Sequence, residues 1–251
     1  MKIKKVEIST MIGCKNMCSY CPQELFLNSY KNNMNYMSDN IKLMTLNMFK
    51  ILLANIPNDV EIIFSGFSEN FLNPNFPDIL LYTYEQGYNI TILTTLEGYT
   101  DKVNDKLSGK LKLLKVFFHK YDGFGFDEEK FYKKIKQFKT NIQSDYYEIL
   151  IPLEYETSRA SNNKRIDIEY KSDPLVCWFS GGMWQNMVAV NGDIYLCCQD
   201  WGLKHKIGNL KYNRLDSDTF NKKREYFENL LLTKDSDMIC SKSESSKISA
   251  I

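Results

Sequence analysis

The sequence predicts an α/β fold, a partial and open (β/α) barrel with a small C-terminal β-hairpin plus helix. Three observations predict it. Short apolar strand-like runs alternate five times with helix-periodic runs between residues 3 and 151, as in a parallel sheet. Three cysteines, Cys14, Cys18 and Cys21, follow the first run directly, where such a sheet carries its functional loops. From Cys177 onward the alternation gives way to short strands and one last helix.

Residues 3–9 alternate imperfectly but read as the first strand, delivering the cysteine loop. The polar stretch 28–40, rich in Asn and Ser, reads as an excursion. Thr45 then caps a helix through Leu46, Phe49, Leu52, Leu53 and Ile56, ended by Pro57. A strand at 60–64, a helix at 75–86 with Pro77 near its first turn, and a strand at 90–95 repeat the cycle. A weaker helix near 100–108 precedes a strand at 113–119. Asp127 opens another helix, with Glu128 and Glu129 in its first turn and Phe131, Tyr132, Ile135 and Phe138 on one side. The fifth strand, 146–151, stops at Pro152, and residues 152–180 leave room for a sixth. Residues 184–198 read as two strands around Asn191-Gly192, a favoured hairpin turn. A helix at about 217–232 and a polar tail holding Cys240 follow, and the last ten residues are expected to fray. The expected division is a core at 1–155, a connecting segment at 156–176 and a cysteine-bearing region at 177–251.

The 251 residues suffice to bury roughly 70–75% of the unfolded surface. With 43% hydrophobic and 25% charged residues, the composition argues against disorder. Lys and Arg total 32 against 31 Asp and Glu, so no global field favours nucleic acid or an anionic membrane as a partner. The lysines of 130–139 read as a solvated helix face. No apolar run approaches a membrane span, and residues 1–13 hold a strand pattern in place of a signal segment, so a cytoplasmic location is expected. Seven cysteines, an odd number, do not form a secreted disulfide framework and imply a reducing compartment.

The triplet gathers three thiols within eight residues, spaced so that a tight loop aims them together. Thiolates are soft ligands for zinc or an iron–sulfur cluster. A structural zinc site wants four protein ligands, yet the next cysteine is Cys177 and the nearest histidine His119. Three thiolates without a local fourth suit a [4Fe–4S] cluster with one open iron. A structural metal knuckle, or three unrelated buried thiols, is the plainer alternative.

The spacing C-x3-C-x2-C, with Tyr20 before the last cysteine, resembles the cluster loop of the radical S-adenosylmethionine (SAM) enzymes. The resemblance implies a partial barrel of that type and a cluster on Cys14, Cys18 and Cys21 whose open iron is chelated by SAM. It further implies reductive cleavage to a 5′-deoxyadenosyl radical that takes a substrate hydrogen, with Tyr20 near the adenine. An exposed cluster of this kind implies oxygen sensitivity and an external reductant such as flavodoxin or ferredoxin. Ser65-Gly66-Phe67-Ser68-Glu69 resembles the family's Gly-Gly-Glu-type motif for the SAM amine, Gly66 matching its first glycine while Phe67 and Ser68 depart from it.

Other residues after strands join the candidate site. Thr94, Thr95 and Glu97 follow the third strand, and His119, Lys120 and Asp122 end or follow the fourth; they are placed for SAM or for substrate hydroxyls. His119 is a candidate acid or base, and Glu154 and Glu156 are candidates to face substrate.

Cys177, fourteen intervening residues, Gly192, then Cys197, with Ile207-Gly208-Asn209-Leu210, resembles the auxiliary-cluster region called SPASM in its long form and Twitch in its short form. The short form, with one auxiliary cluster, [4Fe–4S] being favoured, fits the length. Cys177, Cys197 and Cys240 are its expected ligands. The fourth is open between Ser243, standing where a cysteine is common, and Cys198, although neighbouring strand residues face opposite ways. The resemblance implies an oxidoreductase, a dehydrogenase of an alcohol on a small sugar-like or aminocyclitol substrate, with the second cluster accepting the electron. Peptide modification and epimerisation with Cys198 as hydrogen donor are alternatives, as is a non-enzymatic electron carrier or sensor. Only 13 residues precede Cys14, which argues against an N-terminal leader-recognition domain.

Overall fold

The computed structural model describes residues 3–34, 42–123, 125–151, 158–163, 166, 169–171, 175–177, 185–232, 238–244 and 246–248. Five strands carry the barrel: β1 (Lys5–Ile8), β2 (Glu61–Phe64), β3 (Ile90–Thr94), β4 (Lys112–His119) and β5 (Gln143–Leu150). They pair in parallel, in the order of the sequence, and among the described residues the sheet does not close. Helices α2 (Leu46–Leu53), α3 (Phe76–Glu85), α4 (Asp101–Leu107) and α5 (Glu128–Asn141) provide the crossovers.

Local sequence explains their starts. The Thr45 side chain accepts the Met48 N–H at 3.2 Å, and Asp127 accepts that of Lys130 at 3.0 Å, each supplying an acceptor that the first turn lacks. Pro77 sits in the first turn of α3, where its missing N–H costs nothing. The buried faces of these helices, including Phe49 and Leu52, Phe76 and Leu80, and Phe131, Ile135 and Phe138, close over Val6, Ile62, Ile92 and Val116 as one core.

Three segments differ from expectation. Residues 28–34, read as part of an excursion, belong to α1 (Gln23–Met34), which starts just beyond the cysteine loop. Phe26 and Tyr30, four residues apart and so on one helix face, are buried and hold it in place. Residues 35–41 lie outside the described residues. Second, the expected room for a sixth strand holds β6 (Leu175–Cys177), which pairs antiparallel with β10 (Ser246–Ile248) in a separate two-stranded sheet. Part of the tail expected to fray is therefore tied by a ladder. Third, the hairpin is continuous with the barrel sheet. Its strands are β7 (Asn186–Val188) and β8 (Asp193–Tyr195), joined through Asn191-Gly192 with Gly192 at φ +85°. β7 pairs in parallel with β1, and a further strand β9 (Lys206–Asn209) extends the edge. The last helix is α6 (Asp218–Leu232).

Candidate functional site: two cysteine pockets at the barrel mouth

The cysteine loop leaves the end of β1 and is tied to the ends of β3 and β4. Asp122 accepts the backbone N–H of Ser19 at 2.9 Å and also bonds its hydroxyl. The Asn16 amide donates to the Thr95 hydroxyl at 2.8 Å, and Lys15 pairs with Glu97 at 2.8 Å. Gly123 lies so close to the Asn16 carbonyl that a Cβ there would collide with backbone. Asp122, Thr95 and Glu97 thus brace the loop, and Thr94 and Thr95 line the cleft beside it. Lys120 turns away to Glu128 at 2.7 Å.

Cys14, Cys18, Tyr20 and Cys21 line one cleft at the mouth. Its cavity volume is about 240 Å³, just under the range of small-molecule sites. All seven cysteines are reduced. Burial pushes the Cys14 thiol up, that of Cys18 to about 12 and that of Cys21 to about 11, with neighbouring sulfurs adding repulsion at Cys18 and Cys21 and the Glu69 and Glu97 carboxylates at Cys14. Among the described residues, no three His, Cys, Asp or Glu side chains converge closely enough to hold a single metal ion. The three thiols share one cleft without the close convergence that a single ion requires. A cluster, in which each thiolate takes a different iron, fits this donor set better than one zinc ion does. Its positive irons would relieve the mutual repulsion of buried thiolates.

The loop after β2 forms the floor. Gly66 has φ +93°, and a Cβ on it would meet the Met187 Cε at 2.6 Å and the Ser9 Cβ at 3.3 Å, so only glycine fits. The Ser68 hydroxyl donates to the Met11 carbonyl at 2.9 Å. Phe67, one of the residues departing from the motif, packs 4.6 Å from the rings of both Phe26 and Trp201, joining α1 to the C-terminal region. Glu69 is buried, and both its oxygens are engaged. One accepts the Phe71 N–H at 3.1 Å and the Thr94 hydroxyl at 2.8 Å; the other accepts the Thr95 N–H at 2.6 Å and hydroxyl at 2.7 Å. Burial raises its pKa while these donors pull it back. Its carboxylate clamps the β2 and β3 loops, and residues 65–68 between them line the cleft.

The opposite wall holds residues that sequence reasoning missed. Glu7, on β1, is buried and bonds the side chains of Gln185, Ser65 and Cys198. Burial raises its pKa, and these donors with Arg159 oppose that. Arg159 lies 6.0 Å over the Tyr20 ring. It starts a run of left-handed residues, Arg159, Ala160 and Ser161 at φ +52°, +54° and +60°. Ser158 before it is held through its N–H by Glu244 at 2.8 Å, and Ser161 donates to the Lys242 carbonyl at 3.2 Å. His119, at the end of β4, also lines the cleft. Its Nε2 is buried without a hydrogen-bond partner, and burial together with the Arg159 charge brings its pKa down to about 4. Glu154 and Glu156 lie outside the described residues.

A second, smaller pocket gathers the remaining cysteines. Cys177, Cys197, Cys198, Cys240 and Ser243 all line it. The Lys171 ammonium donates to the carbonyls of Ser243 at 2.7 Å and Ser246 at 2.6 Å, and the β6–β10 ladder sets Ser246 opposite Cys177. The objection that neighbouring residues face opposite ways does not apply to Cys197 and Cys198. β8 ends at Tyr195, and both cysteines stand in the turn beyond it, closed by the Asp200 N–H on the Cys197 carbonyl at 3.0 Å. Their sulfurs are in hydrogen-bond contact, which with burial raises the Cys198 thiol further. Gln185, Cys198 and Gln199 line both pockets, so the partition between them is about one side chain thick.

No protein-family model matches this sequence, and no curated protein matches it either. Solved structures do match its fold. BtrN in complex with AdoMet and 2-DOIA superposes with a TM-score of 0.63 at 17% identity, over 94% of this chain and 89% of BtrN. BtrN in an open conformation gives 0.56 at 17% identity, over 98% and 97%. The anSMEcpe structure with AdoMet and the Kp18Cys peptide gives 0.54 at 13% identity, over 92% and 84%. The fold is shared with these AdoMet-bound structures, as the resemblance carried by the cysteine loop led one to expect. No helix among the described residues is long and apolar enough to cross a membrane.

Proposed function

We propose that this chain is a radical SAM oxidoreductase that dehydrogenates an alcohol on a small, sugar-like substrate. The observation carrying the reading is the shared wall: the cleft of Cys14, Cys18 and Cys21 and the pocket of Cys177, Cys197 and Cys240 meet at Gln185, Cys198 and Gln199. Cys14, Cys18 and Cys21 would hold the first cluster, with Tyr20 beside the adenine. The backbone of Gly66, Phe67 and Ser68, held by Glu69 through Thr94 and Thr95, would take the methionine end of SAM. Cys177, Cys197 and Cys240 would hold the second cluster, with Cys198 or Ser243 as fourth ligand. When bound, these groups supply the reducing electron, the radical that removes a substrate hydrogen, and a nearby acceptor for the electron left behind.

The protein's own part is positional. Phe67, Phe26 and Trp201 close one side against water, while His119 and Arg159 offer polar groups to hydroxyls. That BtrN holds 2-DOIA in the same fold supports a small-molecule substrate. An external one-electron donor such as flavodoxin or ferredoxin would feed the first cluster.

A second reading, epimerisation, draws on one observation: the Cys198 thiol reaches the substrate cleft and is placed to return a hydrogen atom. Iron and sulfide analysis after anaerobic reconstitution tests the two-cluster assignment, with about eight irons expected per chain. Product mass separates the chemistries, since dehydrogenation removes two hydrogens and epimerisation none.

A further inference from the structure

Removing two hydrogens from a carbinol requires, besides a radical and an electron acceptor, a group that takes the hydroxyl proton. Among the described residues, the ionisable side chains lining the cleft are Glu7, Cys14, Cys18, Tyr20, Cys21, Glu69, His119, Arg159 and Cys198. Nearly all are committed. The cysteines of the triplet have their cluster, and Cys198 touches Cys197 and Glu7. Glu69 receives four donors. Glu7 is bonded by Gln185, Ser65 and Cys198. Burial raises the Tyr20 phenol far above its usual range, and Arg159 is a permanent cation. Asn16 Oδ1 and Gln199 Oε1 in the cleft are also buried and unpartnered, but amide oxygens are not bases; among the ionisable groups His119 alone is uncommitted, its Nε2 buried, unpartnered and part of the cleft wall.

We infer that His119 Nε2 accepts the hydroxyl proton of the substrate carbinol, with the Arg159 guanidinium placed to hold the oxygen as it gains negative charge. The inference rests on the dehydrogenase reading above. In the balanced step, the carbon-bound hydrogen leaves as an atom to the SAM-derived radical and the O–H proton passes to Nε2. The remaining electron goes to an oxidised iron–sulfur centre in the second pocket. The C–O bond becomes a carbonyl, and the imidazolium returns its proton to solvent. Burial keeps the resting imidazole neutral at physiological pH, so a ring nitrogen carries a free lone pair before substrate arrives, and in the Nδ1–H tautomer it is Nε2. His119 ends β4, and its pairing with Leu150 of β5 sets its backbone within a seven-pair ladder, a rigid mount for a proton acceptor.

The experiment uses anaerobically reconstituted holoenzyme with SAM and dithionite, and 2-DOIA and scyllo-inositol as probes, in H2O and in D2O. Wild type is expected to form ketone and 5′-deoxyadenosine one for one. H119Q keeps an acceptor oxygen but no base. It should bind the probes within about threefold of wild type in equilibrium dialysis of unreduced protein and still form 5′-deoxyadenosine. Its ketone yield per 5′-deoxyadenosine should fall tenfold or more, in line with about 10²–10⁴-fold contributions from general bases. The quenched radical should carry deuterium at carbon in D2O. Added imidazole should restore ketone to H119A, which keeps the inference testable if H119Q folds poorly.

An unchanged ketone ratio in H119Q overturns the assignment. So does a proportional loss of both products, which marks a merely structural role, or a wild type that forms 5′-deoxyadenosine but no ketone from either probe. Those results leave SAM cleavage standing; a wild type that forms no 5′-deoxyadenosine removes both.

Discussion

Glu69→Gln is the substitution whose consequence can be worked most fully from the structure. The side chain is buried, and each carboxylate oxygen receives one backbone N–H and one hydroxyl. An amide replaces one oxygen by an NH2 group, so in either flip it turns donors toward a backbone N–H, that of Phe71 or that of Thr95. Hydroxyl rotation offers no remedy for a backbone donor. The Thr95 hydroxyl also accepts the Asn16 amide at 2.8 Å, so the fault runs into the cysteine loop. An orphaned buried N–H costs about 1–3 kcal/mol, and exchanging charged for neutral acceptors weakens what remains, partly offset by removing a buried charge. The net expectation is a loss of about 3 kcal/mol. For a chain of this size that lowers the thermal midpoint by about 6–12 °C. Scanning calorimetry or near-UV circular dichroism on anaerobically prepared protein would read it. A midpoint within about 2 °C of wild type would refute the clamp described for Glu69.

Gly66→Ala should destabilise by about 1–3 kcal/mol and weaken SAM binding at least severalfold, measured by equilibrium dialysis, because its left-handed backbone and the Met187 contact exclude a Cβ. His119 is held neutral: its pKa falls from 6.5 in the unfolded chain to about 4, so the unfolded state binds the extra proton between those values. The associated stability is complete above pH 6.5 and is lost as pH falls toward 4, amounting to at most about 3 kcal/mol. The urea midpoint of His119→Gln should accordingly fall less than that of wild type between pH 7 and 4.5, and equal slopes would contradict the burial argument. The triple variant C177A/C197A/C240A should lose about half the bound iron while still forming 5′-deoxyadenosine, as iron analysis and chromatography would show.

The parts legible in the sequence are those set by neighbours along the chain. Thr45 and Asp127 start their helices through bonds to the third residue on, Pro77 marks a first turn, and Asn191-Gly192 makes the hairpin turn. The cysteine triplet is a local signal of the same kind. Pairings between distant segments were not legible. Nothing local marks Glu7 as a cleft residue; its burial depends on residues 186–188 pairing beside β1. Arg159 reaches the cleft because the turn carrying it is bonded to residues 242 and 244, about 80 residues further on. The α1 helix was within reach: the four-residue spacing of Phe26 and Tyr30 is an amphipathic signal, obscured by the asparagines that follow. By sequence Cys197 and Cys198 read as strand neighbours, whereas β8 ends at Tyr195.

The central claim is that Cys14, Cys18 and Cys21 hold a cluster with one iron open to SAM. The most direct measurement is 5′-deoxyadenosine formed from SAM under dithionite by anaerobically reconstituted wild type, beside C14A/C18A/C21A. The account predicts formation by wild type and none by the variant. Wild type with a full complement of iron and sulfide that neither binds SAM nor releases 5′-deoxyadenosine would contradict it.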